Sequence, residues 1–367
     1  MSMGLPLAGL VVVAIEQAVA APFCTSRLAD AGATVIKVER PEGDFARGYD
    51  DVAKGGSSYF VWLNRGKQSR VIDMATAAGK VELAGLIEGA DVLVQNLKPG
   101  ALARLGFDPA ELCRANPRLI ACSISGYGET GPMAGRKAYD LLVQAESGLA
   151  SITGGPDEPA RVGISVVDIA TGATAHAAIL EALIGRGIDG RGADIRIAMF
   201  DVMADWLTVP LLHHEGGRPP RRLGLAHPSI APYGVFATRE GTPLLVSIQS
   251  DREWTKFAAE FLGDAALAAD PRFATNLARV ANRAETDALV AAAFAALDEA
   301  EARVRLERAD AAFAGVSDMA ALSAHPLLRR IEVATPAGPV SYPAPAPVLM
   351  GGERHYGAVP ALGEVPA

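Results

Sequence analysis

Cysteine, histidine and aromatic residues are scarce in this sequence. Its 367 residues include three cysteines, six histidines and three tryptophans, and aromatic residues account for 6% of the chain. Cys24, Cys113 and Cys122 are odd in number, widely spaced and without a C-x-x-C pair, which argues against a disulfide framework and a cysteine-ligated metal. We therefore predict reduced thiols, no bound metal and a cytoplasmic location.

A net positive charge and a membrane-spanning stretch are also missing from the sequence. The formal net charge is −8, whereas nucleic acids and membrane surfaces attract proteins with a basic face. The apolar run Leu10–Ile15 is short and follows no basic residue, which favours a first strand over a signal peptide. No apolar stretch reaches the roughly 20 residues that cross a bilayer. We predict a soluble globular protein without a nucleic-acid or membrane partner.

The first third of the chain alternates short apolar strands with helices. Asp108 followed by Pro109 is typical of a helix start, because proline is tolerated at the first helical position. Strands separated by helices indicate a parallel, doubly wound sheet. The predicted strands are Leu10–Ile15, Val35–Val38, Ser69–Asp73, Asp91–Val94 and Leu119–Ile124, and the predicted helices are Pro22–Ala31, Ala77–Glu88 and Pro109–Ala115.

The composition of the chain changes after Gly185. Two further helices are predicted before that point, from Asp140 to about Ala150 and over Val167–Gly185. A segment rich in Pro, Gly and Arg then favours a domain boundary near Leu223. The second unit is predicted to contain two strands, Tyr233–Phe236 and Leu244–Ile248, and a mostly helical, Ala-rich region from Glu253 to about Leu322.

A glycine loop follows the predicted strand Leu119–Ile124. Gly126, Gly128 and Gly131 have the spacing of a dinucleotide fingerprint, whose glycines open a helix that holds a pyrophosphate. Here Pro132 follows, no amphipathic helix begins directly, and the loop comes after several strands instead of the first. A nicotinamide-dependent dehydrogenase therefore stays only as an alternative.

Asp140 stands where this loop meets the next predicted helix. One interpretation makes it the cap of that helix, a role worth about 1 kcal/mol. The other makes it a nucleophile, because helix amides and the helix dipole keep a carboxylate ionised. The sequence alone allows both.

Seven segments spread over most of the chain carry a family resemblance. Together they resemble the family III CoA-transferases of the CaiB/BaiF superfamily, which include formyl-CoA transferase and, as a divergent branch, α-methylacyl-CoA racemase. The segments are LADAGATVIKVERPEGD (28–44), LNRGKQSRVIDM (63–74), DVLVQNLKPGALARLGFD (91–108), SISGYGETGP (123–132), RKAYDLLVQAESGL (136–149), VGISVVDIATG (162–172) and HPSIAPYGVFAT (227–238).

The resemblance implies an α/β fold with two domains. We expect a Rossmann-like, doubly wound, CoA-binding large domain formed by residues 1–200 and 325–367. A linker or crossover at 201–226 leads to a smaller α/β domain at 227–324. Family members form interlocked dimers, so a homodimer is expected.

The implied activity is transfer of CoA from an acyl-CoA to a free carboxylate, a small organic or dicarboxylic acid. Asp140 matches the family's covalent nucleophile, and CoA or acyl-CoA is a substrate, not a tightly bound cofactor. The residues expected to bind CoA are Arg40, Asn96, Arg104, Lys137, Lys67, Gln17, Gly126 and Gly128.

The racemase branch remains an alternative. A racemase needs two acid/base groups on opposite faces of its substrate. That branch has histidine where this chain has Tyr139, and its acid matches Asp168. We place Tyr139, Asp168 and His227 near the substrate, and we keep a non-catalytic CoA-binding protein as a further alternative.

Overall fold

The computed structural model describes residues 5–348 and 354–365, so parts of the predicted large domain, at residues 1–4, 349–353 and 366–367, lie outside the described residues. The strands are β1 (Val11–Ile15), β2 (Thr34–Glu39), β3 (Lys67–Val71), β4 (Val92–Gln95), β5 (Ile120–Ser125), β6 (Asp194–Ala198), β7 (Tyr233–Ala237), β8 (Pro243–Ser247), β9 (Ala312–Gly315), β10 (Arg330–Val333) and β11 (Val340–Pro343). The helices are α1 (Ala20–Asp30), α2 (Ser58–Asn64), α3 (Ala77–Glu88), α4 (Ala101–Arg104), α5 (Pro109–Ala115), α6 (Asp140–Glu146), α7 (Leu149–Ile152), α8 (Val166–Asp189), α9 (Met199–Trp206), α10 (Thr208–Glu215), α11 (Asp251–Glu260), α12 (Asn276–Ala281), α13 (Arg283–Ala295), α14 (Glu299–Arg308) and α15 (Met319–Ser323).

The described chain contains a six-stranded parallel sheet in the order β3-β2-β1-β4-β5-β6. The strand order reverses between β1 and β4, where Val12 of β1 pairs with Val35 on one side and Val92 on the other. This is the doubly wound arrangement, in which ligands bind beyond the carboxyl ends of the strands at the reversal point. The predicted α/β fold class is confirmed.

Both faces of this sheet are covered, which explains the continuous apolar runs in its strands. Val12 and Ala14 face a core formed with α1 and α8, whereas Val13 and Ile15 face a core formed with α3 and α4. All four side chains are at most 1% exposed. Alternate residues of one strand therefore anchor two separate cores.

Local signals predicted several elements with their bounds. Helices α3 and α5 begin and end where we expected. The Asp108 carboxylate accepts the backbone N–H groups of Ala110 and Glu111, and Pro109 takes the first helical position. The strands of the first third shift by one or two residues from their predicted bounds.

Helix α8 packs closely against α1 through a glycine. A Cβ atom added at Gly172 would lie 2.4 Å from the Ala20 carbonyl oxygen and 2.9 Å from Phe23 Cβ. By length and composition alone, α8 is also the one helix of the described chain that is long and apolar enough to cross a membrane. The core helix of a water-soluble protein passes the same test, and α8 lines the sheet's apolar core.

The chain divides into two compact units, one of residues 1–150, 161–212 and 329–367 and the other of residues 151–160 and 213–328. Residues 201–206 and 208–215, which we assigned to the crossover, are helical in α9 and α10. In the first unit, the C-terminal segment lies along β3, where Gly66 and Ser69 donate backbone N–H groups to the carbonyls of Ala358 and Glu364.

The second unit contains an antiparallel sheet in the order β7-β8-β9. Its core includes Trp254, Phe257, Phe261 and Phe294, all fully buried. The region from Glu253 to Leu322 is mostly helical, as we expected, and β9 is a strand within it that we did not predict. Its sequence AFAG is rich in alanine, a strong helix former, and its place at the sheet edge depends on pairing with distant β8.

The contact at Gly172 yields a stability prediction. We expect Gly172→Ala to lower the free energy of unfolding by about 1–3 kcal/mol, because the added methyl group overlaps backbone of α1. The matched control is Gly185→Ala in the same helix, where an added Cβ meets nothing within 4 Å. Gly185→Ala should raise the free energy of unfolding by about 0.5–1 kcal/mol. Urea unfolding of both variants tests this, and equal effects would contradict it.

Candidate active site

A cavity of about 500 Å³ lies at the carboxyl ends of the parallel strands, within the first unit. Its walls come from the residues that directly follow β1, β4, β5 and β6: Gln17–Ala20, Asn96–Pro99, Gly126 and Met199. Three aromatic side chains, Phe45, Tyr49 and Tyr59, also line it. The cavity therefore occupies the reversal point of the sheet, where this fold class binds its ligands.

Two side chains fix the backbone after β1. The Asn96 carboxamide accepts the Gln17 backbone N–H at 3.0 Å and donates to the Gln17 carbonyl at 2.8 Å. The next residue, Ala18, has a φ of 63°, a left-handed conformation that alanine rarely adopts. Its backbone N–H donates to Asp44 Oδ1 at 3.2 Å. The β1 and β4 ends are thus joined directly across the reversal point.

The Asp140 carboxylate enters this cavity as a hydrogen-bond acceptor on both of its oxygens. Oδ1 accepts the backbone N–H groups of Val167 at 2.8 Å and Asp168 at 3.3 Å. Oδ2 accepts the Gln144 Nε2–H at 2.6 Å. Since Val167 and Asp168 lie in the first turn of α8, the carboxylate meets the positive end of a 24-residue helix.

This geometry corrects one interpretation of Asp140. We considered it as the cap of its own helix, but the cap position of α6 is Tyr139, and Asp140 is the first helical residue. The carboxylate instead satisfies the amides of a different helix, α8, whose own cap residue Ser165 makes no side-chain cap bond. Asp140 is therefore oriented by a tertiary contact.

Asp168 is the second carboxyl group of the cavity. Burial and the nearby Asp140 carboxylate raise the pKa of Asp168 to about 7. Tyr49 also lines the cavity. Burial, together with the charges of Asp44 and Asp168, raises the pKa of Tyr49 to about 12. At neutral pH, a substantial fraction of Asp168 is therefore protonated and able to donate a hydrogen bond.

The glycine loop approaches the cavity without holding a pyrophosphate on a helix. A Cβ at Gly126 would fall 2.0 Å from Ala138 Cβ, so only glycine allows the loop to pass next to the residues before α6. Gly128, with φ of 88°, turns the chain. Because the following helix, α6, begins only at Asp140, the dinucleotide fingerprint lacks its helix.

Of the residues that we expected to contact CoA or substrate, six line the cavity: Gln17, Asn96, Gly126, Lys137, Tyr139 and Asp168. Arg104 is exposed on α4, the helix that directly follows Lys98 and Pro99 of the cavity wall. Arg40 is half exposed, with its Nε–H donating to the Gly43 carbonyl at 3.0 Å. Both arginines lie beside the cavity-lining segments in sequence but outside the lining itself.

Lys67 does not belong to the CoA-binding set, which corrects our prediction. Its side chain is 0% exposed, and its ammonium group donates to Glu16 Oε1 at 2.7 Å and Asn64 Oδ1 at 3.2 Å. Burial and the nearby Lys37 lower the pKa of Lys67 to about 8, despite the attraction of Glu16. A lysine that is fully enclosed next to a buried carboxylate cannot reach a phosphate group.

His227 lies in the second unit, where its ring is held by packing. The ring stacks on Tyr233 with centroids 5.2 Å apart, and its Nδ1 accepts the Ser229 backbone N–H at 3.1 Å. Burial and the nearby Arg283 lower its pKa. These contacts account for the histidine structurally, and its contact with substrate stays a prediction.

Sequence reasoning missed part of the site. Lys98, Arg136 and Arg161 add positive charge to the cavity, and Gln144 orients Asp140. Gln144 was detectable in principle, because residues four apart on a helix share a face. Arg161 was not, since the loop that carries it gives no periodic signal.

Burial raises the pKa of all three cysteine thiols. Cys24, Cys113 and Cys122 are free thiols, and burial raises the pKa of Cys122 to about 12 and that of Cys24 well above its ordinary value. Over residues 5–348 and 354–365, no group of three His, Cys, Asp or Glu side chains is arranged to hold a metal ion.

Comparison with known proteins adds the following. The family model described as CoA-transferase family III matches residues 7–364. The chain is 41% identical over 295 residues to succinate–glutarate CoA-transferase of Agrobacterium fabrum, covering 78% of this chain and 73% of that protein. It is 39% identical to acetyl-CoA:oxalate CoA-transferase of Acetobacter aceti, and the match covers 80% of this chain and 75% of that protein. The structure of a CAIB/BAIF family protein from Brucella suis superposes with a TM-score of 0.82 and 34% sequence identity. The superposition covers 99% of this chain and 97% of that one.

The raised pKa of Asp168 predicts how stability varies with pH. Its folded-state pKa of about 7 exceeds the ordinary 3.8, so its proton favours the folded state, and this contribution is lost as the pH rises towards 7. Asp168→Asn removes this titration. We expect the variant to gain on the order of 2 kcal/mol relative to the parent between pH 4.5 and pH 8. The free energy of unfolding of parent and variant is measured by urea unfolding at several pH values. A difference between them that stays constant with pH would contradict the prediction.

Because Lys67 is buried, we predict that replacing it lowers the stability of the protein and leaves CoA binding unchanged. We expect Lys67→Met to lower the free energy of unfolding by about 3 kcal/mol, because Glu16 loses its nearest counter-charge in the protein interior. Arg70→Met, on the exposed face of the same strand, is the matched control and should cost less than about 0.5 kcal/mol. If Lys67→Met weakened CoA binding without changing stability, Lys67 would return to the phosphate site.

Proposed function

Because the chain belongs to CoA-transferase family III and is an acyl-CoA:carboxylate CoA-transferase, we propose that it transfers CoA to a small dicarboxylate through covalent intermediates on Asp140. The observation that carries the proposal is the placement of Asp140 in the cavity, with donors on both carboxylate oxygens. Such donors fix the direction of the carboxylate.

The free lone pairs of Asp140 support Oδ2 as the attacking atom. An ionised carboxylate offers about four acceptor positions. Oδ1 uses two of them on α8 amides, whereas Oδ2 uses one on Gln144. Oδ2 therefore keeps a lone pair for attack on the thioester carbonyl carbon, while Oδ1 remains held by the helix.

The proposed reaction then proceeds through two covalent intermediates on Asp140, an anhydride and a thioester. Attack by Oδ2 forms a mixed anhydride as the carbon–sulfur bond breaks and CoA leaves as the thiolate. The thiolate attacks the Asp140 carbonyl carbon, releasing the donor acid as its carboxylate and leaving a thioester between Asp140 and CoA. The acceptor carboxylate attacks that thioester, and the same two steps run in reverse. No proton transfer is required, because thiolate and carboxylates are stable anions.

The amides of α8 have a second role in this scheme. Whenever the Asp140 carbonyl carbon becomes tetrahedral, negative charge develops on Oδ1, the oxygen held by Val167 and Asp168. Donors already in place before charge develops are the most effective form of stabilisation in an active site. We assign these two amides to the enzyme-centred tetrahedral intermediates.

The choice of a small dicarboxylate rests on the relatives and on charge. The two curated relatives described above are named for succinate, glutarate and oxalate, which are all dicarboxylates. The cavity combines basic side chains with aromatic ones, and a doubly anionic substrate needs counter-charge to leave water. CoA and its thioesters act as substrates in this scheme.

We also propose a homodimer in the cytoplasm. Helices α9 and α10 expose Trp206, Val209, Leu211 and Leu212, each at least 50% accessible. Large apolar side chains grouped on a surface favour contact with another protein surface. The scarcity of cysteine supports a reducing compartment.

The covalent step predicts the behaviour of Asp140→Asn. Its amide oxygen still accepts hydrogen bonds but no longer attacks a thioester, so we expect turnover to fall by at least about 10³-fold in a folded protein. The protein is incubated with a panel of acyl-CoAs, trapped with hydroxylamine or borohydride, and mapped by mass spectrometry. Modification should occur at Asp140 in the parent and in the control Asp189→Asn.

Other results would favour the alternatives. Full transferase activity in Asp140→Asn would refute the proposed nucleophile. Exchange of a substrate α-proton for solvent deuterium without transfer would indicate a racemase, with Asp168 as one of its acid/base groups. Binding of CoA without adduct or turnover would indicate a CoA-binding protein.

A further inference from the structure

Four basic side chains line the cavity, and one of them already has an acidic partner. Arg136 pairs with Glu146 at 3.4 Å. Within residues 5–348 and 354–365, no carboxylate lies within 4.0 Å of the charged groups of Lys98, Lys137 or Arg161. Three positive charges are therefore available for anionic groups of the substrates.

Arg161 differs from the other two in how it reaches the cavity. Lys98 follows β4, two residues after Asn96, and Lys137 precedes α6; Asn96 and Lys137 are residues that the family resemblance implies for CoA binding. Arg161 lies in the loop before α8. The neighbouring Val162 donates its N–H to Gln144 Oε1 at 2.9 Å, and the other end of that carboxamide donates to Asp140 at 2.6 Å. A single side chain thus links the Arg161 loop to the reacting carboxylate.

The loop is also fixed beyond Val162. Ser165 Oγ lies 3.4 Å from the Tyr59 hydroxyl, and Val167 donates its N–H to Asp140 at 2.8 Å. Arg161 is exposed, and its guanidinium donates a hydrogen bond to the nearby Gly163 carbonyl at 3.5 Å. Its backbone is therefore positioned while its donors remain available to a ligand.

A second carboxylate on the substrate needs such a group. The aromatic wall of Phe45, Tyr49 and Tyr59, with neighbouring ring centroids 5.6 Å apart, brings no positive charge to a charged end. The cavity's own carboxyl groups, Asp140 and Asp168, supply no positive charge to balance it. Arginine presents two parallel N–H donors that match a carboxylate and is less strongly hydrated than lysine.

We propose that Arg161 binds the distal carboxylate of the substrate and sets the preference for dicarboxylates over monocarboxylates. This inference rests on the proposed function, and it adds to that function the group that recognises the substrate class. Arg161 acts on binding and specificity, while the bond-making step belongs to Asp140.

The test uses acceptors that differ only at the distal end. Succinate is compared with butyrate, and glutarate with pentanoate, with one acyl-CoA donor held constant. In a two-step exchange, kcat/KM for the acceptor reports on the second half-reaction alone. The effects of the donor therefore cancel in the acceptor ratio, which is kcat/KM for the diacid divided by kcat/KM for the matching monoacid. We expect the full-length parent enzyme to prefer the diacid. Arg161→Gln should reduce that ratio by about 10- to 100-fold, and Arg161→Lys should retain part of it.

The matched control is Arg191→Gln, an exposed arginine just after α8 and outside the cavity, which should leave the ratio unchanged. An unchanged ratio in Arg161→Gln, or a parent without diacid preference, overturns the inference. A rise in KM for every acyl-CoA with an unchanged acceptor ratio also overturns it, and assigns Arg161 to the phosphates of CoA. Absence of an adduct on Asp140 would refute the covalent mechanism but leave the acceptor ratio measurable, so the two failures are distinguishable.

Discussion

The hydrogen bonds between the Asp140 carboxylate and the first amides of α8 organise the site. They satisfy helix amides that would otherwise lack partners, and they join two segments of the chain at the end of the sheet. Through the same contact, Asp168 comes beside Asp140, and the loop that carries Arg161 comes to the cavity. One carboxylate therefore serves as a structural acceptor and, in the proposed mechanism, as the nucleophile.

A buried cluster of charges lies beside the segment that follows β1. Glu16, the residue before Gln17, is fully enclosed between Lys67 at 2.7 Å and Lys37 at 3.5 Å. Burial alone would raise the pKa of Glu16, but the two lysines outweigh it and hold the pKa below its ordinary value. Lys37 also bonds to Asp44, which accepts the N–H of the strained Ala18. These charges give the loop after β1 a fixed shape at the reversal point, where a flexible loop would not align a thioester.

Local sequence signals predicted most of the first unit, and their failures have physical causes. The strands buried on both faces are continuous apolar runs, and Asp108 with Pro109 marks a helix start that needs no distant partner. Strand β6 was missed although DIRIA alternates polar and apolar residues as a half-buried strand does, because it directly follows a glycine-rich segment. The charged Lys67 suggested a surface position, and only its partner Glu16, distant in sequence, shows that it is interior.

The sequence by itself determined the class of the fold, since strand and helix periods are local. It also determined the family, because seven segments along the chain carry its pattern. Only the tertiary structure decided which charges face the cavity. Lys67 is buried in the interior, whereas the loop that carries Arg161 is linked to the Asp140 carboxylate by Gln144. Those positions depend on contacts between residues far apart in the chain, and such contacts leave no periodic signal in the sequence.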